Sequence, residues 1–237
     1  MSEPLFPLFW CPHAGHQVPA ELAPQFAARQ AQLATHEGYD LGALELSQQF
    51  GAGFATSVIG SVISRLVVDL NDLPRGRGVF SAVTRELPAA ERAALVAAYA
   101  RPYHERLHQR IVQLMGAGHV VVCLAIHTFA PVLRGETREA EIGLLYHPER
   151  PAEVALATAW QAMLATSAPA YRVRRNYPYR GAGGYPAELR RRYPAERLLV
   201  LELEVNQALA AVPASRREVG GHLVRTLKPL LTAPPNR

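Results

Sequence analysis

Cysteine is nearly absent, with Cys11 and Cys123 alone among 237 residues, and their separation offers neither a Cys-x-x-Cys metal clamp nor a disulfide framework. That usage fits a reducing compartment, with both thiols expected in buried strands. Lysine is scarcer still, Lys228 being the only one. The formal charge of +5 is therefore carried by arginines, scattered without the aromatic interleaving or the motifs of nucleic-acid recognition, so no nucleic-acid partner is expected. One dense group, Arg172, Arg174, Arg175, Arg180 and Arg190 to Arg192, reads as a solvated basic rim that draws in anionic substrates. No apolar run has the length of a membrane span, and Met1-Ser2-Glu3-Pro4 lacks the basic start and apolar stretch of a secretory leader. The expectation is a cytoplasmic protein with no membrane attachment.

What is present suits an ordinary folded chain: 49% apolar and 19% charged residues, enough for one domain spanning 1–237. Leu5 to Cys11, closed by Pro12-His13-Ala14-Gly15, reads as a buried strand and a loop. Apolar residues recur at helical spacing from Leu41 to Phe50, and β-branched residues from Val62 to Leu70 predict a second strand. Pro74 to Gly78 is expected to be a loop. Pro88 to Met115 predicts a helix with a kink or break at Pro102. Val120 to Ile126 has the continuous apolar pattern of a strand covered on both faces and delivers His127 at its end. Glu141 to Tyr146 predicts a further strand, Pro151 to Thr166 a helix, Arg180 to Tyr185 a glycine-rich loop and Leu198 to Val205 the last strand. Val219 to Leu231 closes the chain as an amphipathic helix, with a frayed tail from Thr232. Strands alternating with helices, the central ones apolar throughout, predict an α/β fold of three layers, α/β/α, with a mixed and largely parallel sheet. In such sheets ligands bind beyond strand ends.

His13 and His127 both stand where a buried strand gives way to a loop, and two strand-end imidazoles are a usual start for a catalytic zinc site. The third ligand is open on spacing alone: His16 lies three residues on, and Asp40 is the lone acid of Gly38-Tyr39-Asp40-Leu41-Gly42. Glu202 and Glu204 share one face of the last strand by period-two spacing. For Glu202 the plain reading is a pairing with one of the many arginines. For Glu204, near the strand end, the functional reading is a general base that takes a proton from water and hands it to a departing amine. Arg65 either bridges to Asp69 or clamps a substrate carboxylate with two hydrogen bonds.

Together these segments resemble the N-formylglutamate amidohydrolase family. The stretches that carry the resemblance are Pro12-His13-Ala14-Gly15, Tyr39-Asp40-Leu41-Gly42-Ala43, Ser64-Arg65-Leu66-Val67-Val68-Asp69-Leu70-Asn71, Arg101-Pro102-Tyr103-His104, His127-Thr128-Phe129-Ala130-Pro131-Val132-Leu133, Asn176-Tyr177-Pro178-Tyr179-Arg180-Gly181 and Leu203-Glu204-Val205-Asn206. The resemblance implies a fold like that of zinc exopeptidases of the carboxypeptidase type, one divalent metal held by His13, Asp40 and His127, and Glu204 as base. It places Arg65, Asn71, His104, Arg138, Asn176 and Arg180 around a small anionic N-acyl amino acid, with His16 as a further contact behind the metal or at the substrate. Two departures matter. Asp72 stands where an arginine often follows the Asp-Leu-Asn motif, reversing a charge, and Thr128 replaces the usual serine. The segments Phe129 to Pro131 and Arg138 to Tyr146 resemble a less characterised branch of the family. The implied activity is hydrolysis of an N-formyl or other small N-acyl amino acid. The competing readings are an amidase or peptidase on short peptides or cell-wall fragments, and a binding protein that keeps a carboxylate pocket without catalysis. A homo-oligomer is compatible with either.

Overall fold

The computed structural model describes residues 5–73, 76 and 78–232; Pro74, Arg75 and Arg77 of the expected loop, and the tail beyond Thr232, lie outside them. The strands are β1 (Leu5–Cys11), β2 (Val58–Gly60), β3 (Val120–Phe129), β4 (Val132–Leu133), β5 (Glu136–Thr137), β6 (Ile142–Leu145), β7 (Val173–Arg175) and β8 (Leu198–Asn206). Apart from β4 and β5, which pair with each other, they form one mixed sheet in the order β2-β1-β3-β8-β6-β7. The first four of that order run parallel, and β6 and β7 run against them. Short helical turns α1 (Ala23–Phe26) and α2 (Gln30–Leu33) precede α3 (Ala43–Phe54). Then come α4 (Ala89–Leu95), α5 (Arg101–Gly116), α6 (Pro151–Ser167), α7 (Gly184–Arg192), α8 (Gln207–Ala210) and α9 (Pro213–Thr232).

The period of two along each strand sorts side chains onto two faces, and each face is covered by its own helices. Trp10 of β1, Val121, Cys123 and Ala125 of β3, and Leu198 and Val200 of β8 pack with Tyr103, Leu107 and Ile111 of α5 and Leu189 of α7. On the opposite face Phe9, Leu124, Leu201 and Leu203 meet Phe50 of α3, Trp160 of α6 and Leu223 of α9. Burying one such leucine or phenylalanine stabilises the fold by roughly 1.5–3 kcal/mol. The result is three layers, helices on both sides of a mostly parallel sheet. Both cysteines are buried in strands, as expected. Among the described residues no helix is long and apolar enough to cross a membrane.

Two expectations are corrected and a third takes a specific form. The stretch Val62 to Leu70 is not a strand: the edge strand is the shorter β2, and Ile63 makes only an isolated bridge to Gln17. Ser64 is the reason. Its hydroxyl donates to the Gly38 carbonyl at 2.9 Å and accepts from the Leu66 N–H at 3.2 Å, so a side-chain turn outcompetes the ladder. The interruption expected at Pro102 takes the form of a π-helical turn over Val96–Ala100, just ahead of it, which joins α4 to α5 and accommodates a residue with no N–H to give. Finally, Arg190 does not belong to a solvated rim. It is buried against Glu153, its Nε 3.1 Å from each carboxylate oxygen, and donates to the Gly181 and Val200 carbonyls. Glu153 also accepts from the backbone N–H groups of His147 and Val200, so this pair ties α6, α7 and β8 together.

Candidate metal centre and substrate pocket

The face lined by Val121, Cys123 and Ala125 continues to His127, and the face lined by Leu198 and Val200 continues to Glu202 and Glu204. Register sets His127 beside Glu204 and Ala125 beside Glu202. The same alternation that builds a core under α5 and α7 thus presents an imidazole and two carboxylates beyond it. His127 is the eighth of ten residues in β3 rather than its terminus. His13 arrives from the neighbouring parallel strand, just past β1, and Asp40 from the turn before α3, where its N–H donates to the His13 carbonyl at 3.1 Å. Gly42, with φ +80, lets that turn pass against the Ala210 carbonyl, which a Cβ would strike.

These three side chains converge. One ligand atom from each of His13, Asp40 and His127 lies within 4.8 Å of the other two, and all three residues are buried. Asp40 Oδ2 is the shared point, 2.7 Å from His127 Nδ1 and 3.4 Å from His13 Nδ1. Behind His13, Nε2–H donates to Asp69 Oδ1 at 2.7 Å, which fixes the ring and turns Nδ1 toward Asp40. That Nδ1 is buried and makes no hydrogen bond to any described residue. An imidazole held by an outer carboxylate, its inner nitrogen unused and facing a second imidazole and a carboxylate, is a donor set that fits a divalent cation. His13, Asp40 and His127 can bind a metal, and Asp40 rather than His16 completes the set. His16 packs at a tilt against Tyr39 with ring centroids 4.6 Å apart and lines a separate cavity.

Charge follows the geometry. Burial opposes ionisation of Asp40, yet the His13 and His127 imidazoles outweigh it and hold the carboxyl well below its ordinary range. Asp69 behaves alike: burial is outweighed by His13 and Arg65. Arg65 donates to Asp69 Oδ2 at 3.0 Å and to Asp40 Oδ1 at 3.4 Å, with its side chain 34% exposed at the pocket mouth. The bridge to Asp69 expected of Arg65 is present, and the residue also lines the pocket. Burial, then Asp40 and Glu202, push the Glu204 carboxyl well above its usual range, and Glu204 Oε2 has no hydrogen-bond partner among the described residues.

The pocket encloses about 270 Å³ and is lined by His13, Asp40, Arg65, Asn71, His127, Thr128, Leu145, Tyr179, Arg180, Gly183, Gly184, Glu202 and Glu204. Of the residues expected around a substrate, Arg65, Asn71 and Arg180 line it. His104, Arg138, Asn176 and His16 do not. His104 is buried, its Nε2–H donating to the Leu70 carbonyl at 2.9 Å and its ring stacked on Tyr185 at 3.6 Å. It lines a larger cavity of about 570 Å³ next door, with Leu73, Phe80, Val96 and His108. Arg138 donates to the Tyr179 hydroxyl at 3.0 Å and so reaches the pocket only through that ring. Asn176, at φ +49, accepts from the N–H groups of Tyr146 and Gly181 and shapes the loop that presents Tyr179 and Arg180. Asp72 accepts from the Leu73 N–H within its own loop and is not part of the lining, so the charge reversal falls outside the pocket wall. Among the described residues Glu202 has no arginine partner; it accepts from Asn71 Nδ2 at 3.4 Å and lies 3.9 Å from His127 Nε2. Sequence reading passed over Tyr179 and the support Asp69 gives His13. Asp69 was visible only as a neighbour of Arg65, four residues away.

The sequence matches the model of the N-formylglutamate amidohydrolase family over residues 7–211. No curated protein sequence matches it. Among solved structures, a gene product of Agrobacterium tumefaciens superposes with a TM-score of 0.84 at 28% identity, over 95% of this chain and 90% of that one. The N-formylglutamate amidohydrolase of Ralstonia eutropha gives a TM-score of 0.71 at 21% identity, over 96% and 92% of the two chains. At that identity the likeness is one of fold.

Proposed function

Because the chain belongs to the N-formylglutamate amidohydrolase family and is a hydrolase of amide bonds, we propose that it is a zinc-dependent enzyme cleaving the amide of an N-formyl or other small N-acyl amino acid. The observation that carries this reading is the convergence of His13, Asp40 and His127 in a pocket that also holds Glu204 and two arginines. His13 through Nδ1, Asp40 through Oδ2 and His127 through Nδ1 would hold the ion. When bound, zinc supplies Lewis-acid polarisation of the acyl oxygen and lowers the pKa of a water.

The chain's own groups supply the rest. Glu204 stands on the strand next to His127, in an environment that raises its proton affinity. It takes a proton from the attacking water and delivers it to the departing nitrogen, which leaves as the amine while the acyl carbon gains the hydroxyl. Arg180 and the exposed edge of Arg65 grip the substrate carboxylate, with Tyr179 closing over it. The confined volume of about 270 Å³ favours a single small amino acid with a short acyl group over a long peptide. Protein reconstituted with zinc and assayed against N-formylglutamate, other N-formyl and N-acetyl amino acids and short N-acylated peptides tests the reading. Release of free amino acid from the small substrates, dependent on one bound zinc per chain, is the expected result. Turnover insensitive to chelation, or confined to peptides, sinks it.

A further inference from the structure

We infer that Glu202 is a positioning residue for His127, and that Asn71 links it to Asp69, so that one connected pair of carboxylates orients both imidazoles of the metal centre. The inference rests on the metal reading above. Glu202 is only 7% exposed, and among the described residues it has no arginine or lysine partner, an uncommon situation for a buried glutamate. Its Oε2 lies 3.9 Å from His127 Nε2, a nitrogen that is buried and makes no hydrogen bond to any described residue. The distance is too long for a hydrogen bond. In the metal-free chain Nδ1–H donates to Asp40 Oδ2 at 2.7 Å; a cation taking the Nδ1 lone pair would leave the ring proton on Nε2, the side where the Glu202 carboxylate stabilises it. Asp69 does the same for His13 through a direct bond of 2.7 Å.

Asn71 joins the two. Its backbone N–H donates to Asp69 Oδ1 at 2.9 Å, the oxygen that also receives His13 Nε2–H, and its side-chain amide donates to Glu202 Oε2. Asn71 is itself held from behind: Tyr185 N–H donates to its carbonyl at 2.8 Å, and His104 Nε2–H donates to the adjoining Leu70 carbonyl. The residue is therefore fixed on three sides before any substrate arrives, and its position follows both carboxylates. Among the described residues Glu204 Oε2 has no such tether, which separates the two acids of one strand face: Glu202 is occupied with holding, and Glu204 is available to move a proton.

Zinc affinity, measured by competition with a chromophoric chelator, tests this. The variants are Glu202→Gln, which keeps the side chain's size and removes its charge, Asn71→Ala, the double variant, and Glu204→Gln as reference. The expected outcome is about 10–100-fold weaker zinc binding for Glu202→Gln, a smaller loss for Asn71→Ala, and a double variant whose loss is less than the product of the two. Glu204→Gln should bind zinc like the unaltered protein. Affinity indifferent to residue 202 overturns the positioning role while leaving the metal centre intact, and fully multiplicative losses overturn the link through Asn71. Failure of the unaltered chain to bind zinc overturns the metal reading and this inference together.

Discussion

Side chain by side chain, the site divides between groups that face the reacting atoms and groups that hold them. Replacing Glu204 by Gln removes the proposed proton carrier but not the proposed donor set, so kcat should fall about 100–10,000-fold with zinc content by elemental analysis unchanged; undiminished turnover would remove Glu204 from the mechanism. Arg180 lines the pocket at its exposed side. Arg180→Ala should therefore raise KM about 10-fold or more with kcat little altered, and a fall in kcat at constant KM would show that the carboxylate is gripped elsewhere. Sequence patterns made His13, Asp40, His127 and Glu204 legible because each stands in a short segment of recognisable context. They could not expose what Asp69 and Glu202 do. Asp69 serves His13 across 56 positions, and Glu202 meets Asn71 across 131, so only folding brings those partners together.

Among the elements, the long apolar strands β3 and β8 and the helices α3, α6 and α9 were legible because continuous or periodic burial is written into the order of residues. The three-residue strands β2 and β7 were not, since so short a segment carries no period. Helix α7 was hidden behind its arginines, one of which turns inward to Glu153. That pair yields an element-scale prediction. Glu153→Gln leaves the Arg190 guanidinium buried without its counter-charge, and should lower unfolding free energy by about 3–5 kcal/mol in urea titration; a loss below about 1 kcal/mol would mean that the carbonyls of Gly181 and Val200 suffice. Gly143 of β6 offers a second test, because a Cβ there would run into the Tyr177 carbonyl and press toward Glu204. Gly143→Ala should displace the loop bearing Tyr179 and Arg180 and raise KM. A crystal structure of that variant with the loop unmoved would refute the close fit.

For the molecule as a whole, acid stability depends on a histidine that the sequence placed at the substrate. Burial depresses His104 to about 4, outweighing the hydrogen bond to Leu70. The folded state keeps the ring neutral while the unfolded chain, near 6.5, takes up a proton. This group's contribution to stability is complete above about pH 6.5 and is lost as pH falls toward about 4. Between pH 7 and 4.5 zinc-free protein should lose about 2 kcal/mol more unfolding free energy than its His104→Gln variant. Equal losses in the two would show that protonation of this ring does not drive the decline. The alternation along β8 has a broader consequence. Odd-numbered positions speak to durability, and Glu202 and Glu204 between them face the pocket, so descendants of this chain are free to explore new substrates on one side of a ribbon while the other keeps them folded.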